Sequence, residues 1–283
     1  MMAKRIPTIL PDLTFNESLE ITKIHSIAET LPKNKPIITN RPFRAPHHTI
    51  SVTSLVGGGI SPKPGEISLA HYGVLFLDEL PEFNKKTLEV LRGPLEDKNI
   101  TISRVNASLT YPCNFMLVAS MNPCPCGYYG SKEKECTCLP DAITRYINKI
   151  SGPLLDRIDI QVEVNQVKYQ NLEDDRPAES SHEMKERVNK ARKLQQERYK
   201  NYGIYSNSEL TPKLINEYCK IDSKTSKILE DAFNRLGFSA RAYNRILKVA
   251  RTIADLDGKQ NIELKHVAEA IQYRNLDKKY WKN

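Results

Sequence analysis

The sequence predicts an α/β domain, a parallel sheet between helices carrying a β-hairpin insertion, followed by a smaller all-helical domain. Two short apolar runs, VLFL at 74–77 and FMLVA at 115–119, read as strands buried on both faces, as in a parallel sheet covered by helices. Between them, residues 100–111 (ITISRVNASLTY) alternate in polarity around an Asn and read as a hairpin. Beyond about Val164 the chain turns polar and then repeats apolar residues at helical spacing.

In chain order, Thr14 and Glu17 form a capping-box pair ahead of Leu19, Ile24, Ile27 and Leu31, which predicts the first helix. The Pro- and Gly-rich passage at 32–65 is too rich in breakers for a regular helix; with His47, His48 and Gly57 to Gly59 it reads as a structured insertion. The 74–77 strand follows, then a helix over 84–95, the hairpin, and the second strand, which runs out to Asn122. Residues 170–181 (QNLEDDRPAESS) read as a linker between a first domain at 1–169 and a helical domain at 182–283. In that domain Ser239 caps a helix whose Ala242, Ile246, Val249 and Ile253 form one stripe, with Arg241, Arg245 and Lys248 opposite. Residues 261–274 repeat the pattern through Leu264, Val267, Ala268 and Ile271.

Composition narrows the function classes. The 42 basic and 34 acidic residues among 283 give +8, which mildly favours a polyanionic partner such as nucleic acid. No apolar run approaches the ~20 residues of a membrane span, and the opening MMAKRIPTILPDL lacks the apolar segment of a secretion signal, so a cytoplasmic protein with no membrane partner is expected. In that compartment the six cysteines are expected as reduced thiols or metal ligands rather than disulfides.

Asp78 and Glu79 follow the first strand directly, and the carboxyl ends of parallel strands are where open α/β sheets bind ligands. One acid there can hold the magnesium of a nucleoside triphosphate and the next can polarise the attacking water, as in a Walker B strand. The plainer alternative is a core strand ending in solvated acids. The order of polar positions favours the first. Asp78 and Glu79, then Asn122, then Arg157 in SGPLLDRID, then Arg241 in FSARAYNRIL follow the layout of an AAA+ ATPase: Walker B, sensor 1, arginine finger, sensor 2. In that layout Asn122 orients the attacking water, Arg157 neutralises charge on a neighbouring subunit's nucleotide, and Arg241 reports phosphate state to the helical lid. A pairing of Arg157 with Asp156 or Asp159 is the structural alternative.

Four longer stretches carry a specific resemblance: RPFRAPHHTISVTSLVGGG (41–59), PGEISLAHYGVLFLDELPEF (64–83), SMNPCPCG (120–127) and SGPLLDRIDI (151–160). They resemble the magnesium-chelatase-related ComM/YifB family of bacterial AAA+ proteins. The resemblance implies an AAA+ core with a lid of the magnesium-chelatase C-terminal type, using ATP and Mg. It also implies a hexameric ring that acts as a helicase or branch-migration motor on single-stranded or branched DNA in competence or recombination. The insertion and the hairpin would then project toward the pore. Arg44, Lys98 and Arg104 become candidates for DNA phosphates and His47 and His48 for shaping the insertion, against the alternative of solvated charges and structural histidines.

One departure matters. The family's phosphate loop, G-x-x-x-x-G-K-[ST], does not occur in this sequence: its first glycine is Gly57, and its Gly258-Lys259 pair is followed by Gln260. The opening residues are therefore expected to be the middle of a longer protein, and residues 1–283 alone to bind ATP very weakly without hydrolysing it, since most phosphate affinity comes from that loop. A reading from another class follows: a non-catalytic remnant or binding module that docks on complete paralogues. Finally, Cys124, Cys126, Cys136 and Cys138 form two C-x-C pairs. Four thiolates can close a tetrahedral zinc site; reduced structural thiols or an oxidised cluster are the alternatives.

Overall fold

Thr14 opens the first long helix as its spacing predicts. Its hydroxyl accepts from the Glu17 N–H at 3.2 Å and the Glu17 carboxylate accepts from the Thr14 N–H at 2.7 Å, so the helix α1 (Phe15–Ile27) starts with two donors satisfied. The structure, a computed structural model, describes residues 2–31, 36–59, 62–104, 107–131, 134–164, 178–274, 276 and 281. Most of the expected linker, 170–177, lies outside these residues. The chain divides into two compact units, Met1–Arg157 and Ile158–Asn283.

The strands of the first unit are β1 (Phe43–Arg44), β2 (Gly57–Gly58), β3 (Lys63–Pro64), β4 (Val74–Leu77), β5 (Asn99–Arg104), β6 (Ala107–Pro112) and β7 (Met116–Ala119). β1, β4 and β7 form the expected parallel sheet in the order β1-β4-β7, with Phe43 opposite Val74 and Val74 opposite Met116. Gly73 makes the β1–β4 pairing possible: a Cβ there would lie 2.1 Å from the Pro42 carbonyl oxygen, the acceptor for the Val74 N–H at 2.8 Å. β4 is buried as its apolar run predicts, with Val74, Leu75 and Leu77 fully enclosed. β7 differs from expectation. It sits at the edge of the described sheet, and Met116 is exposed.

The helix expected over 84–95 is two helices, α2 (Lys85–Glu89) and α3 (Arg92–Asp97). Pro94 explains the break, because it has no N–H and its ring would clash with the carbonyl of Val90 in a continuous helix. The hairpin is where the alternation puts it. β5 and β6 pair from Asn99–Pro112 to Arg104–Ala107, Ile100, Ile102 and Tyr111 are buried, and the Thr101 and Thr110 hydroxyls meet at 2.9 Å. The Tyr111 hydroxyl donates to the Pro62 carbonyl at 3.0 Å, tying the hairpin to the Gly-rich insertion. The unit closes with α4 (Pro140–Ile147) and α5 (Gly152–Leu155).

The second unit is helical: α6 (Ser181–Arg198), α7 (Pro212–Tyr218), α8 (Ser223–Leu236), α9 (Ala240–Leu256) and α10 (Leu264–Gln272). Ser239 caps α9 by accepting from the Ala242 N–H at 3.2 Å, and Ala242, Ile246 and Ala250 face a core shared with Leu214, Leu229, Val267 and Ile271. At its edge lies a polar knot that periodicity does not reveal. The enclosed Asp255 carboxylate accepts from Arg198 at 2.5 and 3.0 Å, from Arg251 at 3.2 Å and from the Asn207 amide at 2.8 Å. Among the described residues no helix is long and apolar enough to cross a membrane.

Candidate nucleotide site and cysteine cluster

A parallel sheet brings the carboxyl ends of its strands to one side, and here that side gathers His48 after β1, Asp78 and Glu79 after β4, and Ser120 and Asn122 after β7. The β4 and β7 ends are stitched by backbone bonds, Ser120 N–H to Leu77 carbonyl at 3.0 Å and Leu80 N–H to Ser120 carbonyl at 2.9 Å. The Ser120 hydroxyl donates to Asp78 Oδ1, which also accepts from the Glu79 N–H at 3.1 Å. Two donors therefore fix the aspartate rotamer. Glu79 has left-handed backbone (φ 53°), a conformation that costs a non-glycine residue about 1–2 kcal/mol and is found at functional turns. It leaves the Glu79 carboxylate accessible and 3.5 Å from His48 Nδ1. The His48 ring lies against His47 at a tilt of 35°, with centroids 4.1 Å apart, and meets the edge of Phe83 at 6.4 Å.

Asn122 is exposed, and its carboxamide lies against Gly127: a Cβ on Gly127 would sit 3.8 Å from Asn122 Cγ. Tyr146 of α4 backs the same turn. Burial, then the Glu82 charge, raises its pKa, and a backbone hydrogen bond from Asn122 opposes them. Beyond Asn122 the four cysteines converge as their spacing suggests. Cys124 Sγ lies 3.4 Å from Cys126 Sγ and 3.7 Å from Cys136 Sγ, Cys126 and Cys136 are 3.6 Å apart, and all four ligand atoms including Cys138 fall within 4.8 Å. Tetrahedral thiolates around zinc, at Zn–S of about 2.3 Å, stand about 3.8 Å from one another. The set therefore fits a soft divalent ion with little rearrangement. The Tyr128 backbone N–H, with that of Thr137, holds the Cys126 thiol down at about 6 against burial; Cys136 is pushed up to about 12, where a Cys138 backbone bond is outweighed by burial and the Cys126 thiol.

The predicted arginines are placed as follows. Arg157 folds back on its own unit, donating to the Pro153 carbonyl at 2.8 Å and to the Glu96 carboxylate, with its side chain 8% exposed. Glu96, from the break-split helix pair, is the carboxylate bonded to it. Arg241 lies in the first turn of α9, on its exposed side, and Arg245 of the same helix pairs with Asp159 at 2.5 Å. Arg44 grips both oxygens of Glu66 at 2.6 Å, and that pairing raises its pKa despite burial. Lys98 caps α3 in left-handed conformation, partly exposed. Arg104 ends β5; its side chain lies outside the described structure.

Comparison with known proteins decides the family. The model of magnesium chelatase, subunit ChlI, matches residues 1–172, and that of the ChlI C-terminal region matches 178–274. Over 276 residues the chain is 48% identical to competence protein ComM of Haemophilus influenzae, covering 97% of this chain and 53% of that protein. It is 46% identical over 281 residues to the uncharacterized protein YifB of Escherichia coli, covering 98% and 54%. An uncharacterized protein of Mycobacterium bovis matches at 40% over 275 residues, 97% and 54%. The chain belongs to the magnesium-chelatase-related ComM/YifB family. It spans about half the length of the curated relatives it matches.

ComM/YifB membership suggests a nucleotide and magnesium, and carboxylate and hydroxyl oxygens at parallel strand ends are ligands that suit magnesium. Sequence reasoning misses Ser120 and Tyr146 altogether, and it places His48 in the insertion rather than beside Glu79. β1 is two residues long, too short for any periodicity, so nothing in the sequence sets His48 beside Glu79. Ser120 carries a signal in the sequence: it directly follows one apolar strand run, as Asp78 follows the other, so pairing of the two strands sets their side chains near each other.

Proposed function

We propose that this chain is most of the ATPase core and lid of an ATP-driven DNA motor that works as a hexameric ring in the cytoplasm. The observation that carries the reading is the Asp78 carboxylate, fixed by Ser120 at the joined ends of two parallel strands, beside an accessible Glu79. In this reading Asp78 is the magnesium-side acid, and the bound magnesium nucleotide supplies the electrophilic phosphorus. Glu79 accepts a proton from the attacking water, with His48 Nδ1 holding its carboxylate in place, and Asn122 orients that water. Arg157 leaves Glu96 to reach a neighbouring subunit, and Arg241 serves as the lid's phosphate contact. Arg44, Lys98 and Arg104 are the DNA-phosphate residues: Lys98 just ahead of β5, Arg104 at its end, and Arg44 once it exchanges Glu66 for a phosphate. Zinc at the four cysteines belongs to the same reading, as a closed structural site rather than a catalytic one.

A second reading is a non-catalytic module that docks on complete relatives; residues 1–283 hold no G-x-x-x-x-G-K-[ST] with which to cradle a triphosphate themselves. The two are separated in a version preceded in frame by that loop. There, Arg157→Ala should lower hydrolysis about 10³- to 10⁵-fold while leaving nucleotide binding intact. Unchanged turnover would remove Arg157 from the reaction, and no turnover in the parent version would favour the docking module.

A further inference from the structure

The stretch from Met121 to Cys138 leaves the sheet edge and returns to α4 with almost no apolar anchor. Among its described residues only Cys124 is buried, and a segment of this length without a core needs a cross-link to hold one shape. The one dense feature in it is the thiol cluster. Cys124 is fully enclosed; its carbonyl accepts from the Gly127 N–H at 3.0 Å and its sulfur from the Tyr129 N–H at 3.3 Å. That turn places Gly127 against the Asn122 carboxamide. Cys136 and Cys138 lie immediately ahead of α4, whose Tyr146 sits by the Asn122 backbone.

We propose that Cys124, Cys126, Cys136 and Cys138 bind one zinc ion whose task is to fix the turn that carries Asn122. The ion ties the Gly127 side of Asn122 to the α4 side, so metal loading sets where that carboxamide points. The proposal rests on the zinc reading above and gives the ion a specific task within it. Binding exchanges thiol protons for metal–sulfur bonds, with no change of oxidation state. The remaining described cysteines of the chain, Cys113 and Cys219, are buried elsewhere and take no part; burial pushes the Cys113 thiol up to about 12.

The test uses residues 1–283 purified without added metal or chelator. Metal analysis should find about one zinc per chain. Amide hydrogen exchange is then followed in 116–127 and in the 99–112 hairpin for the zinc-loaded chain, the chelator-stripped chain, and Cys126→Ser/Cys136→Ser. Stripping and substitution should each speed exchange in 116–127 by at least about 10-fold and leave the hairpin within about 2-fold; added zinc should restore the stripped chain and not the variant. Absence of zinc, or disulfides in its place, overturns the metal site itself. Zinc bound with unchanged exchange in 116–127, or protection lost equally from the hairpin, overturns the positioning task alone. ATP hydrolysis is not read, so failure of the motor reading shows elsewhere.

Discussion

Gly73 and two histidines show how much the first unit depends on single residues. Gly73→Ala would press a methyl group to 2.1 Å from the Pro42 oxygen, and since that neighbour is backbone, the start of β4 must shift. The expected cost is about 1–3 kcal/mol, read as a lower urea midpoint, and an unchanged midpoint would contradict the close approach. His25 and His71 are both buried between hydrogen bonds: His25 meets the Leu69 carbonyl at 3.1 Å and Thr30 Oγ1 at 3.0 Å, and His71 Nδ1 accepts from the Asn114 N–H at 3.0 Å while Nε2 faces Glu20 at 3.2 Å. Burial lowers both pKa values from the ordinary 6.5. Below 6.5 the unfolded chain therefore binds more protons than the folded one, and stability falls as pH drops from about 6.5 toward the folded values. Urea titrations at pH 7 and pH 5 should show the lower midpoint at pH 5; equal midpoints would mean the rings take up protons in place. The same residue scale marks where sequence reasoning stops. Asp78, Glu79 and the cysteines declare themselves by type and spacing, whereas Glu96 as the partner of Arg157 comes from a contact 61 residues away in sequence.

At the scale of elements, long and periodic segments were legible and short or interrupted ones were not. The capping box of α1, the hairpin and the stripe of α9 follow from local chemistry that needs no tertiary partner. β1 has two residues, and the α2–α3 break turns on Pro94, a breaker that an apolar stripe conceals. The knot joining α6 to α9 is invisible to periodicity for another reason: Arg198, Arg251 and Asp255 look like surface charges until packing encloses them. Asp255→Ala would leave Arg251 buried without its carboxylate and free the Arg198 fork, costing about 3–5 kcal/mol. Thermal unfolding should show the helical unit melting earlier. A melting point within a degree of the parent would mean that water replaces the lost acceptor at no cost.

At the scale of the whole molecule, the two family-model matches, 1–172 and 178–274, meet near the polar stretch at 170–177. The chemistry is divided differently. The strand-end acids, Asn122 and the cysteine cluster belong to the first unit and Arg241 to the second, while the relatives are nearly twice as long as this chain. Backbone N–H groups and the lysine of a phosphate loop supply most of the affinity for a triphosphate, so residues 1–283 alone should bind ATP too weakly for calorimetry at micromolar concentrations. The central claim, that Asp78 and Glu79 serve a magnesium nucleotide, is tested most directly by ATP hydrolysis in a version preceded in frame by a G-x-x-x-x-G-K-[ST] loop, parent against Glu79→Gln. Turnover is expected in the parent, with a fall of at least about 100-fold in Glu79→Gln while ATP still binds. Turnover that survives the loss of the Glu79 carboxylate would contradict that claim.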